Sequence, residues 1–110
     1  KTFLKEATIL SVFEFKYREK LFDKFLIGVV IKDETNRFEK NFRVITSSID
    51  SQERSEYRTK CGNSFVINDD PAELAITFAE LVMIQDCLYS PRDILQMRQA
   101  SQINDKHKLH

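Results

Sequence analysis

The first two thirds of the chain alternate apolar and polar residues with the period of two that is typical of β-strands. Residues 8–17 place four apolar side chains on one side, namely Ile9, Phe13, Phe15 and Tyr17. Residues 25–31 are apolar almost throughout and rich in β-branched types, which predicts a central strand buried on both faces. Alternation resumes over residues 38–44 and 57–67. The pattern therefore predicts four strands, with the second and third joined as a hairpin.

Signals for two helices follow the strands. Asp70, Pro71 and Glu73 combine a capping side chain, a proline at the first helical position and an acid at the third, which predicts a long helix that runs to about Tyr89. Residues 90–93 repeat this pattern and open a shorter second helix. We therefore expect an α+β fold: an antiparallel sheet of about four strands, in the order β-β-β-β-α-α, covered by a long C-terminal helix and a shorter second helix.

One domain accounts for the chain. Its 110 residues and 42% hydrophobic content suffice for one packed core and are too few for two. We place this single α+β domain at residues 1–103. Residues 104–110 form a polar tail that we expect to be disordered or foreign to the protein.

The charge, hydropathy and cysteine content of the chain argue against nucleic acids and membranes as partners. The 17 basic and 17 acidic side chains cancel, so no long-range field attracts a nucleic acid or an anionic membrane. No apolar stretch approaches the roughly 20 residues that cross a bilayer. Two cysteines are too few for a disulfide framework, which favours a cytoplasmic location. We expect no nucleic-acid partner and no membrane association.

The chemistry of most enzymes is missing from the body of the chain. Both histidines, His107 and His110, lie in the tail, so the body offers no imidazole for general-base catalysis or metal binding. The two glycines, Gly28 and Gly62, cannot build a phosphate-binding loop. We therefore expect no enzyme activity, no cofactor and no metal site. An enzyme that relies on carboxylate and phenol groups is the least favoured hypothesis.

Two features predict an interaction surface. In the predicted long helix, the face that we expect to cover the sheet carries Leu74, Phe78, Val82 and Tyr89. The second half of this helix is apolar nearly all round, because apolar residues continue along its polar side, so the second helix, a partner or a second copy must cover it. The third and fourth strands carry mixed charges, which fit either a solvated face or a polar recognition surface. The candidate interaction residues are Arg37, Glu39, Arg43, Arg58, Ile84 and Leu88.

A ligand pocket is the alternative kind of site. The aromatic face of the first strand could line a concavity where a curved sheet meets the helices. Asp86, on the apolar side of the predicted helix, would be a pocket carboxylate, an ion-pair partner of Arg92, or a residue exposed to solvent where the helix frays. The candidate pocket residues are Phe13, Phe15, Tyr17 and Asp86.

These observations favour a small non-enzymatic protein-interaction module of the immunity, antitoxin or adaptor kind. Such a module binds a protein partner, or itself as a homo-oligomer, through a rigid sheet and helix surface. The alternative is a protein that binds a small molecule or an unfolded peptide. In the order of its predicted elements, four strands and then two helices, the chain resembles the SecB family of secretory chaperones, and this resemblance implies peptide binding and tetramers.

Overall fold

Seven strands and two helices form the part of the chain that the structure describes. The computed structural model describes the backbone of residues 1–14 and 17–108, and the side chains of residues 1–13 and 21–100. The α+β class is confirmed. In chain order the elements are β1 (Thr2–Glu14), β2 (Tyr17–Asp33), β3 (Arg43–Ile45), β4 (Ile49–Glu53), β5 (Glu56–Thr59), β6 (Ser64–Ile67), β7 (Ala72–Thr77), α1 (Phe78–Cys87) and α2 (Pro91–Lys108).

All seven strands belong to one mixed sheet built around β1. Strand β2 runs antiparallel along one edge of β1, and β3 continues the sheet beyond β2. The other edge of β1 receives two parallel strands in succession: β6 pairs with Thr2–Leu4, and β7 pairs with Thr8–Phe13. Strands β5 and β4 extend the sheet beyond β6, so the order is β3-β2-β1-β6-β5-β4, with β7 beside β1.

The sheet curls until its two ends approach each other. Strands β3 and β4 stand at opposite ends of the strand order, yet only residues 46–48 connect them. Thr46 ties this connection to β2, because its hydroxyl oxygen accepts a hydrogen bond from the Leu26 backbone N–H at 3.0 Å. The curled sheet encloses one hydrophobic cluster, which consists of Leu4, Ala7, Ile9, Leu26, Val30, Val44, Tyr57, Phe65 and Ile67.

The opposite face of β1 and β2 carries a second cluster, which the helices cover. It contains Leu10, Val12, Ile27, Ile76, Leu81, Ile84 and Ile94, the last three from α1 and α2. Adjacent residues of β2 thus serve different clusters, since Leu26 lies inside the curl and Ile27 lies under the helices. The prediction of a strand over residues 25–31 is confirmed, and it is buried on both faces up to Val30, whereas Ile31 is exposed.

A β-bulge bends β1 where the two clusters separate. Lys5 pairs with Val29 and Thr8 pairs with Ile27, so two residues of β1 face the single residue Gly28 of β2. Glu6 adopts a left-handed backbone with φ of 52°, as one residue of a bulge often does. A Cβ on Gly28 would lie 3.2 Å from Leu4 Cβ. The absence of a side chain at Gly28 therefore permits the close approach of the two strands.

The prediction of four antiparallel strands under a long C-terminal helix is wrong. Residues 72–77 form β7, not the first turns of a helix, and their parallel pairing with β1 outweighs the local helix signals at Asp70 and Pro71. Pro71 fits this arrangement because it precedes the first strand residue and so removes no ladder hydrogen bond. The element order is therefore not four strands and two helices, and the resemblance to SecB has no structural basis.

The first helix begins seven residues later than expected, and the second helix is the longer one. Thr77 is the N-cap of α1: its hydroxyl accepts from the Glu80 N–H at 3.2 Å, and the Glu80 carboxylate accepts from the Thr77 N–H at 3.0 Å. This reciprocal capping box fixes the start of α1. Helix α1 has 10 residues and α2 has 18. Of the predicted tail, residues 104–108 belong to α2, and residues 109–110 lie outside the described residues.

Candidate functional site

Helix α1 packs on the sheet with the face opposite to the predicted one. Leu81 and Ile84 point into the second cluster, and Ile84 is only 2% exposed. Ile94 of α2 belongs to the same cluster, so α2 folds back over this part of α1. Ile84 was predicted as an interaction residue, but its side chain is enclosed by the protein's own core.

The outer face of α1 exposes apolar side chains instead. Phe78 and Val82, expected to cover the sheet, are 41% and 49% exposed. Asp86 is exposed as well, and the spacing of four residues places all three on one stripe of the helix. Phe22 of β2 extends this stripe, because its ring lies edge-on to that of Phe78 with centroids 4.5 Å apart. We call Phe22, Phe78, Val82 and Asp86 the α1 stripe.

Helix α1 ends at a leucine that is both strained and exposed. Leu88 adopts a left-handed backbone, with φ of 61° and ψ of 23°, and 78% of its surface is exposed. Glycine is the usual residue at such a helix end, since a Cβ in this conformation costs roughly 1–2 kcal/mol. The backbone N–H groups of Leu88 and Tyr89 both donate to the carbonyl oxygen of Met83. These bonds hold the turn in place.

Arg43 of β3 fixes this turn from the other side. Its Nη2 donates to the carbonyl oxygens of Leu88 at 2.9 Å and Tyr89 at 3.1 Å. Carbonyls at the end of a helix carry partial negative charge, so a guanidinium is a favourable partner for them. Arg43 and Leu88 were both predicted as interaction residues, and the structure brings them into contact. We call Arg43, Leu88 and Tyr89 the α1–α2 corner.

The start of α2 completes the rigid corner. The Ser90 hydroxyl accepts from the Asp93 N–H at 3.1 Å, and the Asp93 carboxylate accepts from the Ser90 N–H at 2.9 Å. The backbone hydrogen bond from Ser90 contributes most to holding the pKa of Asp93 below its ordinary value. The capping pattern predicted over residues 90–93 is therefore present. Leu88 and Tyr89 lie between two fixed helix ends.

The other candidate interaction residues lie elsewhere. Arg37 and Glu39 are exposed in the connection between β2 and β3, where the Arg37 guanidinium lies 5.3 Å from the Phe38 ring centroid. Arg58 is exposed on β5, and its Nε lies 3.9 Å from Glu56 Oε1. These residues make local contacts and do not join the corner in any hydrogen bond or ion pair among the described side chains.

Half of the candidate pocket can be placed. Phe13 is half-buried near the end of β1, opposite Leu21 of β2 and Thr77 of β7. Phe15 and the side chain of Tyr17 lie outside the described residues. Asp86 is exposed and not on a buried apolar side, and no ion pair joins it to Arg92 among the side chains that the structure describes.

The described residues show no further site of these kinds. No three His, Cys, Asp or Glu residues among them lie close enough together to hold a metal ion. None of the helices in the described ranges combines the length and apolar character that a membrane span needs.

Sequence reasoning missed Phe22 and the strain at Leu88. A signal for the second was present, because Ser90 and Pro91 restart a helix directly after α1 and leave only Leu88 and Tyr89 for the turn. So short a turn between helices usually needs a residue in the left-handed region, and neither residue is glycine. Phe22 had no comparable signal, because its neighbour Phe78 lies far along the chain.

Comparison with known proteins finds no match to a family model, to a curated protein or to a solved structure.

Proposed function

We propose that this chain is a non-enzymatic protein-interaction module that binds a partner protein through the α1–α2 corner. The observation that carries the proposal is Leu88, a large apolar side chain that is 78% exposed on a left-handed backbone. Its carbonyl is held by Arg43. Small immunity, antitoxin and adaptor proteins act in this way, by presenting a fixed surface to another protein.

The energetics of Leu88 support an anchor role. Burial of a leucine side chain in a partner's pocket contributes about 1.5–3 kcal/mol. A side chain on a fixed backbone loses little further freedom on binding, so more of this free energy appears as affinity. The left-handed backbone of Leu88 caps α1, but this cap needs no leucine side chain, since glycine adopts the conformation without strain. Strained residues are frequent at functional sites, which supports a role of the side chain in binding.

The surroundings of the corner fit an interface. Tyr89 and the apolar members of the α1 stripe, Phe22, Phe78 and Val82, are further exposed apolar side chains on or beside α1. Asp86 and Arg92 are exposed on either side of the corner in the sequence and supply charge of both signs at its rim. An apolar centre with a charged rim is the usual anatomy of a protein interface, in which the rim contributes selectivity and association rate.

Affinity capture from a native lysate of the source cells tests the proposal. Three immobilised forms are compared: the unchanged chain, Leu88→Gly and Leu95→Ala. Glycine removes the anchor and relieves the strained backbone, so Leu88→Gly should keep its fold. Leu95 is a half-exposed leucine in the regular helix α2 and serves as the matched control.

We expect a protein that the unchanged chain and Leu95→Ala retain, and that Leu88→Gly retains at least tenfold less. Equal capture by all three forms would show that Leu88 is not the anchor. Failure of the unchanged chain to retain any protein would also count against the proposal. Light scattering on the purified chain reports whether the partner is a second copy, because a dimer would then dissociate in Leu88→Gly.

A further inference from the structure

We propose that the α1 stripe binds a basic amphipathic helix of the partner protein. The partner's apolar side chains would cover Phe78 and Val82, and a Lys or Arg would lie opposite Asp86. This inference names the class of partner and rests on the interaction function proposed above.

The shape of the stripe fits a helix. Phe78, Val82 and Asp86 follow one another at intervals of four residues and span about 12 Å along α1. Phe22 widens the apolar end of the stripe through its contact with the Phe78 ring. An amphipathic helix presents apolar side chains at the same spacing, and pairs of helices pack by setting such rows against each other.

The charge of the stripe selects a basic partner. Helix α1 contains two acids, Glu80 and Asp86, and no Lys or Arg. The Glu80 carboxylate already binds Arg98, with 2.6 Å between Arg98 Nη2 and Glu80 Oε1. Asp86 makes no ion pair among the described side chains, and it lies in the last turn, where the helix dipole disfavours a carboxylate. A cation from the partner would offset that unfavourable placement.

The guanidinium of Arg43 reaches the end of α1 but does not bind Asp86. Arg43 directs its Nη2 to the carbonyl oxygens of Leu88 and Tyr89. None of the ion pairs among the described side chains engages Asp86, so its carboxylate can accept a cation from a partner.

The same charges disfavour a second copy as the occupant. A symmetric dimer places the same surface on both sides of the interface. If two copies paired through α1, neither helix could offer a Lys or Arg to the other's Asp86, because α1 has none. A pairing of α1 with α1 therefore leaves both Asp86 carboxylates without a cation from the facing helix, which favours a different protein as the partner.

Two synthetic amphipathic peptides of 16 residues test the inference. Both carry the same leucine face on an alanine helix, and the polar face is lysine in one and glutamate in the other. Each is titrated into the isotope-labelled chain, and amide chemical shifts report both affinity and location. The variants are Asp86→Asn and, as a matched control, Glu73→Gln, which changes an exposed acid on β7.

We expect the lysine peptide to shift the amides of Val82 and Asp86 and to bind at least tenfold more tightly than the glutamate peptide. Asp86→Asn should weaken binding about twofold to fivefold, as loss of an exposed ion pair does, and Glu73→Gln should leave it unchanged. Higher ionic strength should reduce the difference between the peptides.

Equal affinity for both peptides, no effect of Asp86→Asn, or shifts confined to another surface would overturn the inference. Concentration-dependent shifts of the same amides without peptide would do so in favour of a second copy. These outcomes are distinct from failure of the proposed function. If a partner were captured from a lysate through Leu88 but the lysine peptide were not preferred, only the inference of a basic helix on the α1 stripe would be refuted.

Discussion

The guanidinium of Arg98 on α2 forms a bidentate ion pair with the carboxylate of Glu80 on α1. Arg98 Nε donates to Glu80 Oε2 at 2.8 Å, and Nη2 donates to Oε1 at 2.6 Å. The same Nη2 also donates to the carbonyl oxygen of Ala75 on β7 at 2.6 Å. The hydrogen bond from Arg98 is the main reason that the pKa of Glu80 lies below its ordinary value. Arg98 thus joins α2, α1 and β7.

Replacement of Arg98 by methionine should lower the free energy of unfolding by about 1–2 kcal/mol. The methionine keeps much of the apolar stem but removes the guanidinium from the Ala75 carbonyl and from the partly buried Glu80 carboxylate, which keeps only the Thr77 N–H as a donor among the described groups. Urea unfolding at pH 7 measures the change. Arg92→Met, at an exposed arginine of the same helix, is the control and should alter the free energy by less than about 0.5 kcal/mol. Equal effects of both variants would refute the role given to Arg98.

The predicted helix start at Asp70 and the observed start at Thr77 lead to opposite expectations for the loss of stability when each residue is replaced by alanine. Thr77→Ala removes the N-cap of α1 and should destabilise the protein by about 1 kcal/mol. Asp70→Ala should change the free energy of unfolding by less than about 0.5 kcal/mol, because Asp70 is exposed and precedes a strand. Chemical unfolding of both variants is the measurement. If Asp70→Ala lowered the free energy of unfolding more than Thr77→Ala, the result would support the predicted helix that starts at Asp70.

Asp33 should give the protein part of its dependence on pH. Its carboxylate accepts hydrogen bonds from the hydroxyls of Thr2 and Thr35 and from the backbone N–H groups of Thr35, Arg37 and Phe38. Burial opposes the charge, but the hydrogen bonds from Thr35 and Thr2 outweigh it and hold the pKa of Asp33 well below its ordinary 3.8.

Because this pKa is lower in the folded state, the unfolded chain binds more protons below about pH 4. The stabilisation from Asp33 is therefore complete at neutral pH and is lost as the pH falls below the ordinary value. Asp33→Asn should cost about 1–3 kcal/mol at pH 7, and less at pH 3. Urea unfolding at both values tests this. Glu53→Gln, at an exposed acid on β4, is the control, and a cost for Asp33→Asn that does not change with pH would contradict the assignment.

Leu88→Gly should stabilise the fold, by up to about 1 kcal/mol. Glycine adopts the left-handed backbone of Leu88 without strain, which more than offsets its extra freedom in the unfolded chain. The exposed side chain contributes little burial to lose. Leu88→Ala keeps the Cβ and its strain, so it should bring no gain. Thermal and urea unfolding of the two variants measure the difference, and a loss of stability in Leu88→Gly would mean that the leucine serves the fold.

The sequence predicts best those strands whose own pattern of apolar residues indicates which faces are buried. Residues 25–31 are apolar on both faces, and the structure places Leu26 and Ile27 in different clusters. Strand β7 is the opposite case, since Ala72 and Glu73 follow a strong helix signal and become a strand only because Thr8 and Ile9 lie alongside. Such pairing depends on residues more than sixty positions away, and no local pattern reports it.

The face of α1 was misjudged for a related reason. A helix that starts at Asp70 includes Leu74, which lies in one row with Phe78 and Val82 and makes their side the apolar face. With the observed start at Thr77, Leu81 and Ile84 meet it instead. Leu88 was selected as a candidate because the sequence shows no cover for it, and its side chain is in fact 78% exposed. Its strained backbone, and its bond to Arg43, required the three-dimensional arrangement of β3 and the corner.

Strands β6 and β7, which pair in parallel with one edge of β1, have a consequence for folding during synthesis. A ribosome delivers residues 2–33 before residues 64–77, so the earlier residues can form the long β1–β2 hairpin while its other edge is still bare. The strands that close this edge begin at Ser64 and end at Thr77. Bare edges invite pairing between nascent chains, so emergence of Thr77 from the exit tunnel marks the point at which this hazard ends.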